Sequence, residues 1–99
     1  MSRPLSPTVR RKAIEMGEHL TTWRKLLGLT TQQVADRAGI ARGTLRRIEV
    51  GDAGVNVGAL LSVARSLGVL DSLVTGVDPY ETDLGRLRAD EKLPKRVRS

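Results

Sequence analysis

The segment TQQVADRAGIARGTLRRIEV, residues 31–50, decides the fold of this chain. Thr30, just before it, and Gln33 form a capping-box pattern, in which the hydroxyl accepts a free backbone amide and the glutamine side chain reaches back. This pattern predicts a short helix over residues 31–38. Gly39 then supplies the positive φ that a tight turn between two helices requires, and a second helix follows the turn.

The apolar residues of the segment indicate how these two helices pack. The small side chain of Ala35 permits a close crossing, and Ile40 fills the corner between the helices. The second helix, over residues 42–50, is anchored by Leu45 and Ile48. A second helix that protrudes while its inner face stays packed is the arrangement of a helix-turn-helix motif.

The outer face of the second helix carries arginine. At 100° per residue from Arg42, Arg46 and Arg47 lie at about 40° and about 140°. Gly43 lies between them at about 100° and leaves a gap. A planar guanidinium donates two hydrogen bonds to guanine O6 and N7, or it grips phosphate. We therefore predict that this face contacts double-stranded DNA, with a solvated helix face as the alternative.

The composition favours a polyanionic partner and argues against other classes of protein. The net charge is +6, from 17 Lys and Arg against 11 Asp and Glu, and each neutralised phosphate releases counterions. Without cysteine and with one histidine, His19, the chain has little means of holding zinc. Since no nucleophile accompanies His19, we predict no cofactor and no enzymatic activity. No apolar run approaches the roughly 20 residues of a membrane span, so we expect a cytoplasmic protein with no membrane partner.

Helical periodicity predicts three more helices around the motif. The first follows a Ser6-Pro7 cap and runs to about Leu27, unless Gly17 divides it. Its expected buried stripe is Met16, Leu20, Trp23 and Leu27. The fourth follows the Asn56 cap, and a fifth spans about residues 70–74. The expected inward residues of the fourth are Leu60, Leu61, Ala64 and Leu67.

These elements predict an all-α protein in three parts. Residues 1–13 form a basic arm or the start of the first helix, residues 14–75 form a five-helix domain, and residues 76–99 form a partly helical tail. In the tail, Asp78-Pro79 predicts the start of one amphipathic helix through about Arg88. In the arm, Arg10 and Arg11 are expected to contact the DNA backbone, although a solvated arm is an equal alternative.

The domain resembles the Cro/phage-repressor type of helix-turn-helix regulator, called the XRE family, whose fold is lambda-repressor-like. The resemblance covers about residues 14–75. The matching residues are Leu20-x-x-Trp23-Arg24, Gly28-Leu29-Thr30, Val34-Ala35, Ala38-Gly39-Ile40, Thr44-Leu45-x-x-Ile48-Glu49-x-Gly51 and Leu60-x-x-Val63-Ala64-x-x-Leu67-Gly68-Val69. The resemblance implies a sequence-specific transcriptional regulator, a repressor, that binds a palindromic operator as a homodimer.

The resemblance also implies roles for individual positions. Positions 42, 43 and 47 face base edges, so the expected base-contacting set, with Arg46 added from the arginine arc, is Arg42, Gly43, Arg46 and Arg47. The expected backbone contacts on the motif are Thr31, Gln32 and Thr44. Arg24 and Glu49 are implied to form a buried, structural ion pair. Dimerisation is expected through Val69, Leu70, Leu73 and Val74.

The chain departs from the family pattern at three positions. Ala41 replaces the usual Ser or Thr cap of the recognition helix, and Gly43 has no side chain with which to read a base. Asp52 stands where relatives often place a basic phosphate contact. Base reading is therefore expected from the arginines alone.

The tail resembles that of antitoxin-type regulators similar to HipB, which pair with HipA-like kinase toxins and repress their own operon. The matching residues are Asp83-Leu84-Gly85-Arg86-x-Arg88 and Leu93-Pro94-x-Arg96-Val97-Arg98. This resemblance implies toxin contact or dimer closure by residues 76–99. The competing hypothesis for the whole chain is a protein-interaction module that uses the same fold without reading DNA. The arginine face argues against that alternative.

Overall fold

The computed structural model describes residues 4–93, and these residues fold into helices without any β-strand. The first residues of the predicted arm, 1–3, and the last residues of the predicted tail, 94–99, lie outside this range. The elements in chain order are α1 (Pro7–Leu26), α2 (Thr31–Ala38), α3 (Arg42–Glu49), α4 (Val57–Ser66), α5 (Leu70–Thr75), a 3₁₀ turn (Pro79–Glu81) and α6 (Asp83–Lys92). The predicted all-α fold with a five-helix domain is confirmed.

Side-chain caps fix where the helices begin. The Ser6 hydroxyl accepts the Val9 amide at 3.2 Å, and the capping box between Thr30 and Gln33 has both of its hydrogen bonds. The Asn56 side chain caps α4 in the same way. Because a cap satisfies an otherwise unpaired helix amide, such residues mark helix starts directly in the sequence. Ala41 provides no such bond for α3.

The core lies where α2 packs against both α3 and α4. Its buried apolar residues are Leu20, Val34, Ala35, Leu45, Ile48, Val63, Ala64 and Leu67. The predicted stripe of α1 is wrong at Trp23 and Leu27, which are exposed. Leu27 follows the last residue of α1, beyond the helix that would turn it toward the core. Trp23 lies at the surface between α1 and α5.

The inward face of α4 also differs from the prediction. Leu61 is exposed, and Val63 is fully buried in its place. Residues 60, 63, 64 and 67 follow the i, i+3, i+4, i+7 spacing of one helical stripe. Leu61 lies about 100° around the helix from Leu60 and is therefore outside that stripe. The run of apolar residues in α4 was wide enough to include either position, and contact with α2 selected one.

Two glycines hold the motif in place for different reasons. Gly39 adopts φ 69° at the end of α2, which is the left-handed conformation that the turn needs. Gly17 does not divide α1. A Cβ atom at Gly17 would lie 2.6 Å from the carbonyl oxygens of Ile48 and Glu49. The absence of a side chain therefore lets α1 cross closely over the end of α3.

The C-terminal part differs from the single predicted helix. A 3₁₀ turn over Pro79–Glu81 comes first, and the Thr82 hydroxyl then caps α6. This helix packs against the 3₁₀ turn, and its apolar residues Leu84 and Leu87 are exposed. None of the helices in the described range is long and apolar enough to cross a membrane.

Candidate nucleic-acid interface

Helix α3 presents two chemically distinct sides. Leu45 and Ile48 are buried, and Thr44 is half-buried. The residues predicted to contact bases are all exposed: Arg42, Gly43, Arg46 and Arg47. The three arginines therefore lie on the side of α3 that faces away from the core, as the helical spacing predicts. Gly43 has open space around it, so the backbone of α3 is accessible at that position.

Helix α2 packs against α3, and its first residues are the next predicted DNA contacts. Thr31 is half-buried and Gln32 is exposed. The Gln32 amide donates to Asp36 Oδ1 at 2.8 Å, one turn further along the same helix. Helix N-terminal amides attract phosphate because of their unpaired N–H groups and the helix dipole. The predicted backbone-contacting residues of α2 are therefore at the end of the helix that favours anions.

Arg47 is held by an acidic residue that follows α3. Its Nε lies 2.8 Å from Asp52 Oδ2, and the Gly54 amide donates to Asp52 Oδ1 at 2.8 Å. These two bonds hold the pKa of the Asp52 carboxyl below its ordinary value of 3.8, and the bond from Arg47 has the larger effect. Sequence reasoning treated Asp52 only as a departure from the family pattern. The available signal was a carboxylate five residues after an arginine at a helix end.

Arg10 and Arg11 occupy different places on α1. Arg10 lines a surface cleft together with Asp52 and the loop that follows α3. The Arg11 guanidinium donates to the Thr8 hydroxyl at 3.3 Å, on the surface of α1 itself. Both side chains are exposed, but only Arg10 lies at the cleft beside the arginine face.

The second arginine–carboxylate pair lies inside the domain. Arg24 Nε lies 2.8 Å from Glu49 Oε2, and Arg24 Nη2 donates to the other Glu49 oxygen at 3.3 Å. Arg24 Nη1 also donates to the Leu29 carbonyl at 3.1 Å. The side chains are 14% and 12% exposed, so the pair lies at the edge of the core and is not fully buried. It connects α1 with the end of α3 and with the loop before α2.

The residues predicted for dimerisation form a partly open apolar surface. Val69, Leu70 and Leu73 are half-buried, and Val74 is exposed. Trp23 lies with Val69 and Leu73 along one surface cleft. Because the sequence predicted Trp23 to be a core residue, it was not predicted to belong to the dimer surface. Among residues 4–93, no cluster of three or more His, Cys, Asp or Glu side chains is placed to hold a metal ion.

Comparison with protein families agrees with this geometry. The helix-turn-helix domain family matches residues 15–75, which contain α1 from its ninth residue, the whole motif, α4 and α5. The match covers more than half of the chain, and the protein belongs to the helix-turn-helix domain family. No curated protein and no solved structure matches the chain significantly. The family and the exposed arginines define a DNA-binding regulator.

Proposed function

We propose that the protein is a sequence-specific transcriptional repressor of the XRE type, which binds a palindromic operator as a homodimer in the cytoplasm. The observation that carries this proposal is the exposed arginine face of α3 above the buried Leu45 and Ile48. A helix anchored on one side and basic on the other is suited to the major groove, which admits one α-helix. We assign no catalytic role to any residue.

The homodimer gives this proposal a defined geometry. Two copies related by a two-fold axis place their recognition helices in successive major grooves, about 34 Å apart. The apolar surface formed by Val69, Leu70, Leu73 and Val74 is the proposed contact between copies, and Trp23 extends it. A symmetric protein then requires two half-sites about 10 bp apart.

Selection of bound duplexes from a random DNA pool tests the proposal. The expected result is an inverted repeat with guanine in each half-site, because three arginines supply the available base-reading side chains. Affinity for the selected duplex should fall steeply as salt rises, by about 0.9 logarithmic units per contacted phosphate for each tenfold change in salt. An unenriched pool, or an affinity independent of salt, would contradict DNA recognition by this face.

The C-terminal part supports a second function alongside DNA binding. Tyr80, Leu84 and Leu87 are exposed on a segment whose helix packs against its own 3₁₀ turn. Exposed apolar residues on a protruding segment are typical of a protein-contact surface. We propose this segment as the contact for a HipA-like kinase toxin, with the chain as a HipB-like antitoxin. An adjacent reading frame for a kinase-like protein would support it, and a toxin that is neutralised equally well by a chain truncated after residue 75 would contradict it.

A further inference from the structure

Asp52 connects the recognition helix to the loop that follows it. Besides accepting Nε of Arg47 and the Gly54 amide, it donates its own backbone N–H to the Arg47 carbonyl at 2.9 Å. Both carboxylate oxygens are therefore engaged, one by Arg47 and one by Gly54. The same two bonds lower the pKa of the carboxyl, which shows that they favour its ionised form. One acidic residue thus sets the position of Arg47 relative to α3 by side-chain and backbone bonds together.

The pair leaves the outer edge of the Arg47 guanidinium available. A guanidinium has five N–H donors in a rigid fork, and within the described residues Asp52 accepts from Nε. The Nη1 and Nη2 groups hold the remaining four donors. Two parallel donors from one arginine are what guanine O6 and N7 accept in the major groove. Since the Arg47 side chain is 53% exposed, the paired arginine still reaches solvent on the basic face.

The neighbouring arginines lack this support. Within residues 4–93, neither Arg42 nor Arg46 has an ion-pair partner. A long side chain that is free in solution loses rotamer freedom when it binds, and one that is already positioned loses less. The negative charge of Asp52 also repels DNA phosphates, which weakens binding to any sequence. Repulsion lowers the affinity for all DNA alike, so the positioning of Arg47 is the effect that increases the difference in affinity between a cognate site and other DNA.

We propose that Asp52 is a positioning residue for base recognition: it holds Arg47 with its Nη edge toward a guanine and lowers affinity for non-cognate DNA. This inference rests on the proposed function, since it assumes that α3 enters the major groove. It gives the departure at position 52 a role in specificity.

The Asp52→Asn variant separates the contact of this side chain with Arg47 from its contact with the loop at Gly54. An asparagine oxygen still accepts the Gly54 amide, whereas the amide NH₂ faces Nε of Arg47 as a second donor. We would measure binding of wild type, D52N, R47A and the double variant by fluorescence anisotropy. The DNAs are the selected duplex, a set with single base-pair changes, and an unrelated duplex, all at one salt concentration. The matched control is Asp90→Asn, which removes one charge from α6, and thermal unfolding shows that each variant is folded.

We expect D52N to reduce discrimination at one guanine position by about tenfold, within the range contributed by one bidentate arginine–guanine pair. Affinity for the unrelated duplex should rise in the same variant. In the R47A background, D52N should no longer change discrimination at that guanine. D90N should leave discrimination at every position as in wild type.

The outcomes distinguish this inference from the function on which it rests. If wild type selects a guanine-containing operator but D52N binds every duplex more tightly by the same factor, Asp52 acts only by repelling phosphate and positioning is overturned. If D52N still alters guanine discrimination without Arg47, positioning through Arg47 is overturned as well. If wild type binds no duplex preferentially, the proposed function fails and this inference fails with it.

Discussion

Two arginine–carboxylate pairs of equal length differ in what surrounds them. Helix α3 contributes Glu49 to the pair with Arg24 and contributes Arg47 to the pair with Asp52. Both contacts are 2.8 Å long. The Arg24 and Glu49 side chains are 14% and 12% exposed, whereas Arg47 and Asp52 are 53% and 39% exposed. Glu49 and Arg47 are two positions apart on α3, yet Glu49 belongs to a shielded pair and Arg47 to a solvated pair.

Burial, more than distance, sets how much an ion pair contributes to stability. Water and salt screen an exposed pair, which then contributes little to stability. Removing one partner of a shielded pair leaves a charge that its surroundings satisfy only in part. We therefore assign Arg24 and Glu49 to the stability of the domain, and Arg47 and Asp52 to the binding surface. Three experiments test this contrast.

The largest effect is expected for Glu49→Ala. This change leaves Arg24 without its carboxylate at the edge of the core, so the free energy of unfolding should fall by about 2–3 kcal/mol. The loss is smaller than the ~3–5 kcal/mol of a fully buried pair, because both side chains retain some contact with water. Urea denaturation at a fixed protein concentration measures it.

The exposed pair supplies the control for this measurement. The Asp52→Asn variant should unfold at nearly the same urea concentration as wild type, because the solvated Arg47 pair contributes little to stability and the bond to Gly54 is retained. If both variants lose equal stability, the contrast drawn from burial is wrong.

The next effect concerns the helix crossing that brings Arg24 to Glu49. In Gly17→Ala, the added Cβ meets backbone carbonyl oxygens of α3 that lack room to move. We expect a net loss of about 2 kcal/mol in unfolding free energy, since overpacking outweighs the gain in helix propensity. Gly43→Ala is the matched control, because a Cβ there meets open space and should stabilise α3 by about 0.5 kcal/mol. Equal shifts for both variants would contradict a close crossing at Gly17.

The smallest effect is the titration of Asp52, followed by NMR. Its folded-state pKa lies below the ordinary 3.8, so the contribution of the pair to stability is present above 3.8 and is lost as pH falls through the lowered pKa. Arg47→Ala should move this pKa up toward 3.8. Glu15 provides the internal control. Its pKa is lowered mainly by the hydrogen bond from Lys12, and Arg47→Ala should leave that pKa unchanged. An Asp52 pKa that is the same with and without Arg47 would show that the pair does not form in solution.

Much of the local structure could be predicted because its causes are close together in sequence. The capping box at Thr30 predicted the start of α2, and Gly39 predicted its end. The i, i+3, i+4 spacing separated Leu45 and Ile48 from the arginines of α3. Each of these signals depends on residues within one or two helical turns, where backbone geometry fixes the neighbours.

The errors arose where the answer depended on another helix. Trp23 and Leu61 have the apolar character and nearly the spacing of core residues, yet both are exposed. Contact with α2 decides which apolar residues of α4 are covered, whereas Trp23 lies along an open surface cleft beside α5. Gly17 likewise resembled a helix break because its neighbour across the crossing is 31 residues away in the chain.

By itself, then, the sequence determined the helix-turn-helix and the arginine face on α3, because capping and helical periodicity are local. The three-dimensional packing decided how strongly each charge pair is shielded. It placed Glu49 against Arg24 at the edge of the core, and it placed Asp52 against Arg47 in solvent. The physical reason is that the strength of a charge pair depends on the dielectric around it, and that environment is built by helices distant in sequence.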